Sequence, residues 1–217
     1  MVHHATNRRG MQNAIGPVDL LAPFLEAFEA AKVLVKYSKW EDLFDVIQQN
    51  YTPPGRMDRA NPRNSWVILS KSILSIAKYV ERFKSIDDFD IYVGKFFTDT
   101  PDTRWALPLV LGEEIFGYRF ALACDLIKEN ISPEFAKPDV HIKAIFIGIG
   151  KSEKDASDYQ VFRDVVEFAK SISQTPYAVD KLFWLIGSGK FYLSGIKVAT
   201  NRQAFIDRIN TPEGKLL

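Results

Sequence analysis

The residues best placed to do chemistry lie between Leu111 and Gly150, in the stretch LGEEIFGYRFALACDLIKENISPEFAKPDVHIKAIFIGIG. Asp139 stands behind Pro138 and ahead of an apolar run through Ile142, Ile145 and Phe146. Proline biases Lys137 toward extended backbone, which puts Asp139 at the N-cap of the following helix. A carboxylate is therefore held at a fixed point facing a helix N-terminus. The same position also suits an acid that only caps. His141 follows inside that helix and reads either as a proton carrier or as a capping or surface group. Upstream, Gly117 can take the positive φ that ends a helix without steric cost. Arg119, just beyond it, is a permanent cation with several donors, suited to gripping an anion or to pairing with Glu113, Glu114 or Asp125.

A second candidate set lies downstream. Tyr177, Asp180, Lys181 and Trp184 share one helix face by the three-and-four rule, with Leu182, Leu185 and Ile186 on the other side. That face reads as a recognition surface, or as a packed tryptophan beside a surface Asp180–Lys181 pair. Tyr51 to Asn64, YTPPGRMDRANPRN, is an irregular loop carrying Arg56, Arg59 and Arg63. Such a loop suits contact with a phosphate backbone, or is a solvated connection that happens to be basic. His3 and His4 are adjacent and lack a partner ligand nearby in sequence, so no metal site is expected. Cys124 falls in a buried helical pattern and reads as packing.

The elements that must hold these residues are helices. Leu21, Phe24, Leu25, Phe28, Ala31 and Val35 recur three or four apart from Pro17 onward and predict one amphipathic helix. Trp40, Leu43, Phe44 and Ile47 predict a second. Ser65 opens a long helix with Trp66, Leu69, Ile73, Ile76, Ala77 and Val80 on one side, and Ile86 to Phe97 gives a shorter one. Pro108 belongs near a helix start, so the helix leading to Gly117 is expected to begin around Leu107. Phe120, Ala121, Ala123, Cys124 and Ile127 cover most of a cylinder and predict a helix buried on nearly all sides. Val161 to Ile172, Tyr177 to Ile186 and Arg202 to Ile209 supply the rest, with Thr175 as an N-cap. Lys190 to Val198 is the one strand candidate. Neither an internal repeat nor a dinucleotide or P-loop glycine pattern is present.

Gly117-Tyr118-Arg119-Phe120-Ala121, a buried helix, and then Pro138-Asp139-Val140-His141 together resemble the helix-hairpin-helix DNA glycosylase superfamily of endonuclease III and the 8-oxoguanine glycosylases. The resemblance implies an all-α, two-lobed fold with a helix-hairpin-helix motif and a cleft between the lobes. It implies that Asp139 is the catalytic aspartate of a base-excising N-glycosylase, with His141 beside it, and that double-stranded DNA is the partner. Backbone N–H groups at Gly117 and Tyr118 would face a phosphate, and Arg119 would neutralise it. Arg119 stands where bifunctional members carry a lysine; a guanidinium cannot serve as a Schiff-base amine, so hydrolysis without efficient strand nicking is implied. Leu69-Ser70-Lys71-Ser72 occupies the place of a segment that reaches into the DNA gap, which puts Lys71 on the DNA, although the family's glutamine is absent. The segment from Thr175 resembles a late helix of the archaeal 8-oxoguanine enzymes and implies Tyr177, Asp180 and Trp184 near the base. The alternative is a non-catalytic helix-hairpin-helix module that binds DNA or protein.

The totals set limits. With 217 residues, 47% of them apolar and 25% charged, the chain can build one substantial core. The expected division is a flexible tail over residues 1–15 and one helical unit over 16–217, in which 64–150 forms one lobe and 16–63 with 151–217 the other. A net charge of +1 does not advertise a nucleic-acid binder, so any basic face must be local. One cysteine excludes both a disulfide framework and the four-cysteine iron–sulfur cluster of endonuclease III relatives. No cofactor is expected. Without a signal-peptide pattern or a membrane-length apolar run, a soluble cytoplasmic protein is expected, associated with the nucleoid if it binds DNA.

Overall fold

The structure, a computed structural model, describes residues 1–8, 10–98, 100–190 and 201–212. Among these the fold is all-α, and no strand element occurs. Most of the candidate strand, Lys190 to Val198, lies outside the described residues. No helix of the described chain is long and apolar enough to cross a membrane. The chain divides into two compact units, Met1–Ala123 and Cys124–Leu217. This division differs from lobes bounded near residues 63 and 150, because the helices before residue 63 bury themselves against the one that follows.

That central element of the first unit is α5 (Ser65–Val80), numbered after α1 (Val2–Ala5), α2 (Met11–Ile15), α3 (Ala30–Lys36) and α4 (Trp40–Asn50). Asn64 starts α5 by accepting the Trp66 N–H at 2.9 Å, satisfying one of the donors a helix end leaves open. Trp66, Val67, Leu69, Ile73, Leu74, Ile76 and Ala77 are all buried, so α5 is apolar around most of its circumference and takes α1, α2, α3 and α4 onto its surface. α1 and α2, in the segment expected to be a flexible tail, are therefore packed rather than loose. Ala5, Met11 and Ile15 are buried, but they are too few and too unevenly spaced to register as a helical period.

The amphipathic helix expected from Pro17 is also interrupted. Short 3-10 turns occupy Val18–Leu21 and Glu26–Phe28, and Glu26, Ala27 and Phe28 all have positive φ. Pro23 removes a backbone donor within the stretch, and α3 starts afresh at Ala30. Val35, assigned to the buried stripe by periodicity, is 89% exposed. After α5 come α6 (Ile86–Gly94) and α7 (Pro101–Glu114). α7 begins with Thr100 as N-cap and proline in its first turn, well before Leu107, and carries Pro108 in its interior. Buried Leu107, Leu111 and Ile115, four apart, hold one face of the helix across the lost Pro108 hydrogen bond.

The unit boundary falls inside α8 (Phe120–Asn130). The second unit continues through α9 (Val140–Gly148), α10 (Asp158–Ser171), α11 (Pro176–Ser188) and α12 (Arg202–Ile209). α11 packs on α9, α10 and α12, and α9 also packs on α10 and α12. Their core joins Ala136, Ile142, Ile145, Phe146, Val161, Val165, Ala169, Val179 and Phe183. Full burial of such a side chain contributes about 1.5–3 kcal/mol. The α9–α11 contact depends on Gly187, because a Cβ there would lie 2.7 Å from the Cβ of His141.

Candidate functional site

In the second unit, local sequence sets Asp139 where the Pro-Asp pattern requires. It caps α9 with extended backbone, and its Oδ1 accepts the N–H groups of His141 at 2.8 Å and Ile142 at 3.1 Å. Those two bonds fix the carboxylate plane. Oδ2 makes no hydrogen bond among the described residues and is not sealed from solvent. One oxygen thus serves the cap, while the other is left out of it.

The loop that delivers Asp139 is tied down by Asp180 of α11. Asp180 is 1% exposed, and its Oδ2 accepts the Lys137 backbone N–H at 2.9 Å, two residues before Asp139. The same oxygen meets Lys128 Nζ at 2.5 Å. Lys128 also faces Asp125 at 3.7 Å and Glu129 at 3.4 Å, Lys137 Nζ reaches Asp125 at 3.4 Å, and Lys181 reaches Glu129 at 2.5 Å. Burial opposes the charge on Lys128, yet the carboxylates of Asp180 and Asp125 outweigh it and hold the ammonium above the ordinary lysine range. Burial pushes the Asp180 carboxyl upward, against the pull of Lys128 and the Lys137 amide, and the Asp139 charge adds to that push. Both donors meet the same Asp180 oxygen, so the carboxyl ties α8 and the α8–α9 loop to α11 at one point. The Tyr177 N–H donates to the Pro133 carbonyl at 3.0 Å, a further stitch between α11 and the same loop.

The downstream face is therefore assembled differently from its helical spacing. Asp180 turns into the protein and pairs with Lys128, and Lys181 pairs with Glu129; the surface Asp180–Lys181 pair is not formed. Lys181 Nζ lies 4.9 Å from the Tyr177 ring centroid. Trp184 packs against the core of the unit, while Leu182, assigned to the apolar side, is exposed. The His141 ring rests against Gly187 with Nδ1 buried and without a hydrogen-bond partner. Burial pushes the Cys124 thiol up, and nearby Asp180 and Asp125 add to this, leaving an inert packing residue. Lys128, Asp125, Lys137 and Glu129 were not singled out by the motif. The signal for the first two was Lys128 three residues after Asp125 in α8, within a helix otherwise apolar as far as Ile127.

In the first unit, Gly117 ends the turn after α7 with φ +82°, and Ser72 Oγ of α5 fills the space a Cβ would need. Gly112 of α7 lets the Arg119–Phe120 backbone pass at 3.5 Å from where its own Cβ would stand. The Tyr118 N–H is used within the turn, bonded to the Ile115 carbonyl at 3.0 Å, so it is not available to an external phosphate. The Tyr118 hydroxyl donates to the Met1 carbonyl at 2.7 Å, and the ring is buried. Arg119 is exposed and takes none of the expected partners: Glu114 pairs with Arg82, and Asp125 with Lys128 and Lys137. Lys71 Nζ sits 4.8 Å from the Trp40 ring and 5.7 Å from the Phe116 ring. In the basic loop, Arg59 is taken by Asp45 at 2.7 Å. His3 bonds Asp19 at 3.1 Å through Nε2, and no group of three or more His, Cys, Asp or Glu that could hold a metal occurs among the described residues.

No family model, curated protein or solved structure matches the chain.

Proposed function

We propose that this protein is a DNA N-glycosylase of the helix-hairpin-helix kind, with α7, the Gly117 turn and α8 as its helix-hairpin-helix motif and the two units as its two lobes. Double-stranded DNA carrying a damaged or mispaired base is the substrate. The observation that carries the reading is Asp139, whose Oδ1 is pinned by two backbone N–H groups while Oδ2 stays open. In N-glycosyl hydrolysis the C1′–N bond breaks, its electron pair leaves with the base, and the sugar acquires oxocarbenium character. A pre-oriented carboxylate lowers the energy of that cation and aligns a water, whose oxygen bonds C1′ while the departing base gains a proton. Extrusion of the base costs a few kcal/mol of unstacking, which favours lesions and mispairs.

Arg119 leaves the chemistry hydrolytic, since it offers no free amine for an imine with the sugar. The Lys128–Asp180–Lys137 contacts support the reading because a catalytic acid on an untethered loop would have no fixed aim. The test is base release from duplexes containing uracil, 8-oxoguanine or a mismatch. Wild type is expected to release a base and leave an alkali-labile abasic site, and Asp139→Asn to lose at least about 100-fold in rate, the scale of a lost electrostatic stabiliser. Equal duplex binding by both proteins with no base released would replace the enzyme by a binding module.

A further inference from the structure

Two cations, Arg8 and Arg119, stand together at the turn of the first unit without a counter-charge, and a third, Lys71, reaches the same turn at Phe116. Arg8 lies between α1 and α2, and its Nη1 stands 3.6 Å from where a Gly117 Cβ would be. Arg119 leaves the same turn, and Lys71 reaches Phe116 within it. None of the three forms an ion pair or a side-chain hydrogen bond among the described residues. The nearest acids in sequence do not relieve them, since Glu114 is engaged by Arg82 and Glu113 pairs with none of the three. Burial lowers the pKa of the Arg8 guanidinium, and the charge of Arg119 lowers it further, so the like charges oppose each other. A like-charge group of this kind is relieved by an anion. The turn also presents Phe116, 49% exposed although aromatic. A half-exposed ring beside cations that form no ion pair matches the two needs of an unstacked nucleotide, a surface for the base and positive charge for the backbone.

We propose that Arg8, Lys71, Arg119 and Phe116 form a docking site for an unpaired stretch of nucleic acid, with phosphodiesters on the cations and one base against the Phe116 ring. The proposal rests on the nucleic-acid reading above and adds a preference for strands with an unstacked base, served by a residue, Arg8, from the N-terminal segment. It makes use of the packing of α1 and α2 on α5, which places Arg8 at the turn.

The test is fluorescence anisotropy of the full chain with a labelled oligo-dT strand, the corresponding duplex and the duplex with a two-nucleotide bulge, with inorganic pyrophosphate as competitor. The strand and the bulge are expected to bind more tightly than the plain duplex. Phe116→Ala should weaken strand binding about tenfold, with Phe116→Tyr restoring it. Arg8→Gln should lower the salt slope by about 0.7, the value for one single-strand phosphate contact. Phe116 is exposed and Arg8 half-buried, and an unchanged circular dichroism melt of each variant verifies folding. Unaltered strand binding in Phe116→Ala and Arg8→Gln, in a protein that still releases a base, overturns the docking site alone. Loss of pyrophosphate competition in Arg8→Gln, with Phe116→Ala silent, overturns it in favour of a free-anion site. Absence of binding to every nucleic acid at low salt overturns this proposal and the glycosylase reading together.

Discussion

At the scale of single residues, Asp139 separates two jobs that one carboxyl performs. Asparagine caps a helix about as well as aspartate, whereas alanine does not. Asp139→Asn is therefore expected to melt within a degree or two of wild type while losing base release, and Asp139→Ala to cost a further ~1 kcal/mol of stability. Thermal melts beside the release assay check this; an Asn variant as unstable as the Ala variant would mean that the charge, not the cap, holds α9. Gly117 offers a second residue-scale test. Its φ of +82° disfavours any L side chain by roughly 1–2 kcal/mol, and Ser72 Oγ already occupies the Cβ position. Gly117→Ala should lower the unfolding midpoint in urea, with Gly117→Ala/Ser72→Gly recovering only the steric part.

At the scale of elements, the question is what holds the α8–α9 loop against α11. The Lys128–Asp180 pair is buried, with side chains 5% and 1% exposed, so removal of one partner strands the other in a low-dielectric site. Lys128→Met is expected to cost about 3–5 kcal/mol. Lys128→Met/Asp180→Leu should cost less than the single change, leaving the unpartnered Lys137 amide at about 1–3 kcal/mol. Urea titrations of the set measure this directly. A cation whose pKa is raised by folding stabilises fully below its unfolded value and loses that contribution as pH climbs through the folded one. Lys128 is such a cation, so wild type should weaken at pH above about 10.5, the ordinary lysine range, more steeply than Lys128→Met. Parallel slopes would show that the pair contributes nothing to the alkaline limb. The tie was only half legible in sequence: Asp180 was noticed by its spacing from Trp184, but its partner lies on α8, and helical spacing says nothing of which residue on another helix is opposite.

At the scale of the whole molecule, a net charge of +1 means that acids and bases nearly balance, so there is no general basic surplus to meet a phosphate backbone and the contacts must be local. Duplex binding should accordingly show a shallow salt dependence, with log K falling against log salt at a slope of about −2 to −3 for two or three phosphate contacts. A slope steeper than about −6 would place the interface on some other, larger basic surface. What the sequence determined by itself is what local rules govern: the helical class, the caps at Asp139 and Thr175, and the glycine turn at Gly117. Each depends on backbone sterics and on hydrogen bonds reaching only a few residues along the chain. What only the tertiary structure decided is the set of partners: α1 and α2 packed on α5, Val35 in solvent, Asp180 turned inward to Lys128, and Arg8 brought to Gly117. Those outcomes depend on which surfaces meet across long stretches of chain, and periodicity carries no record of that.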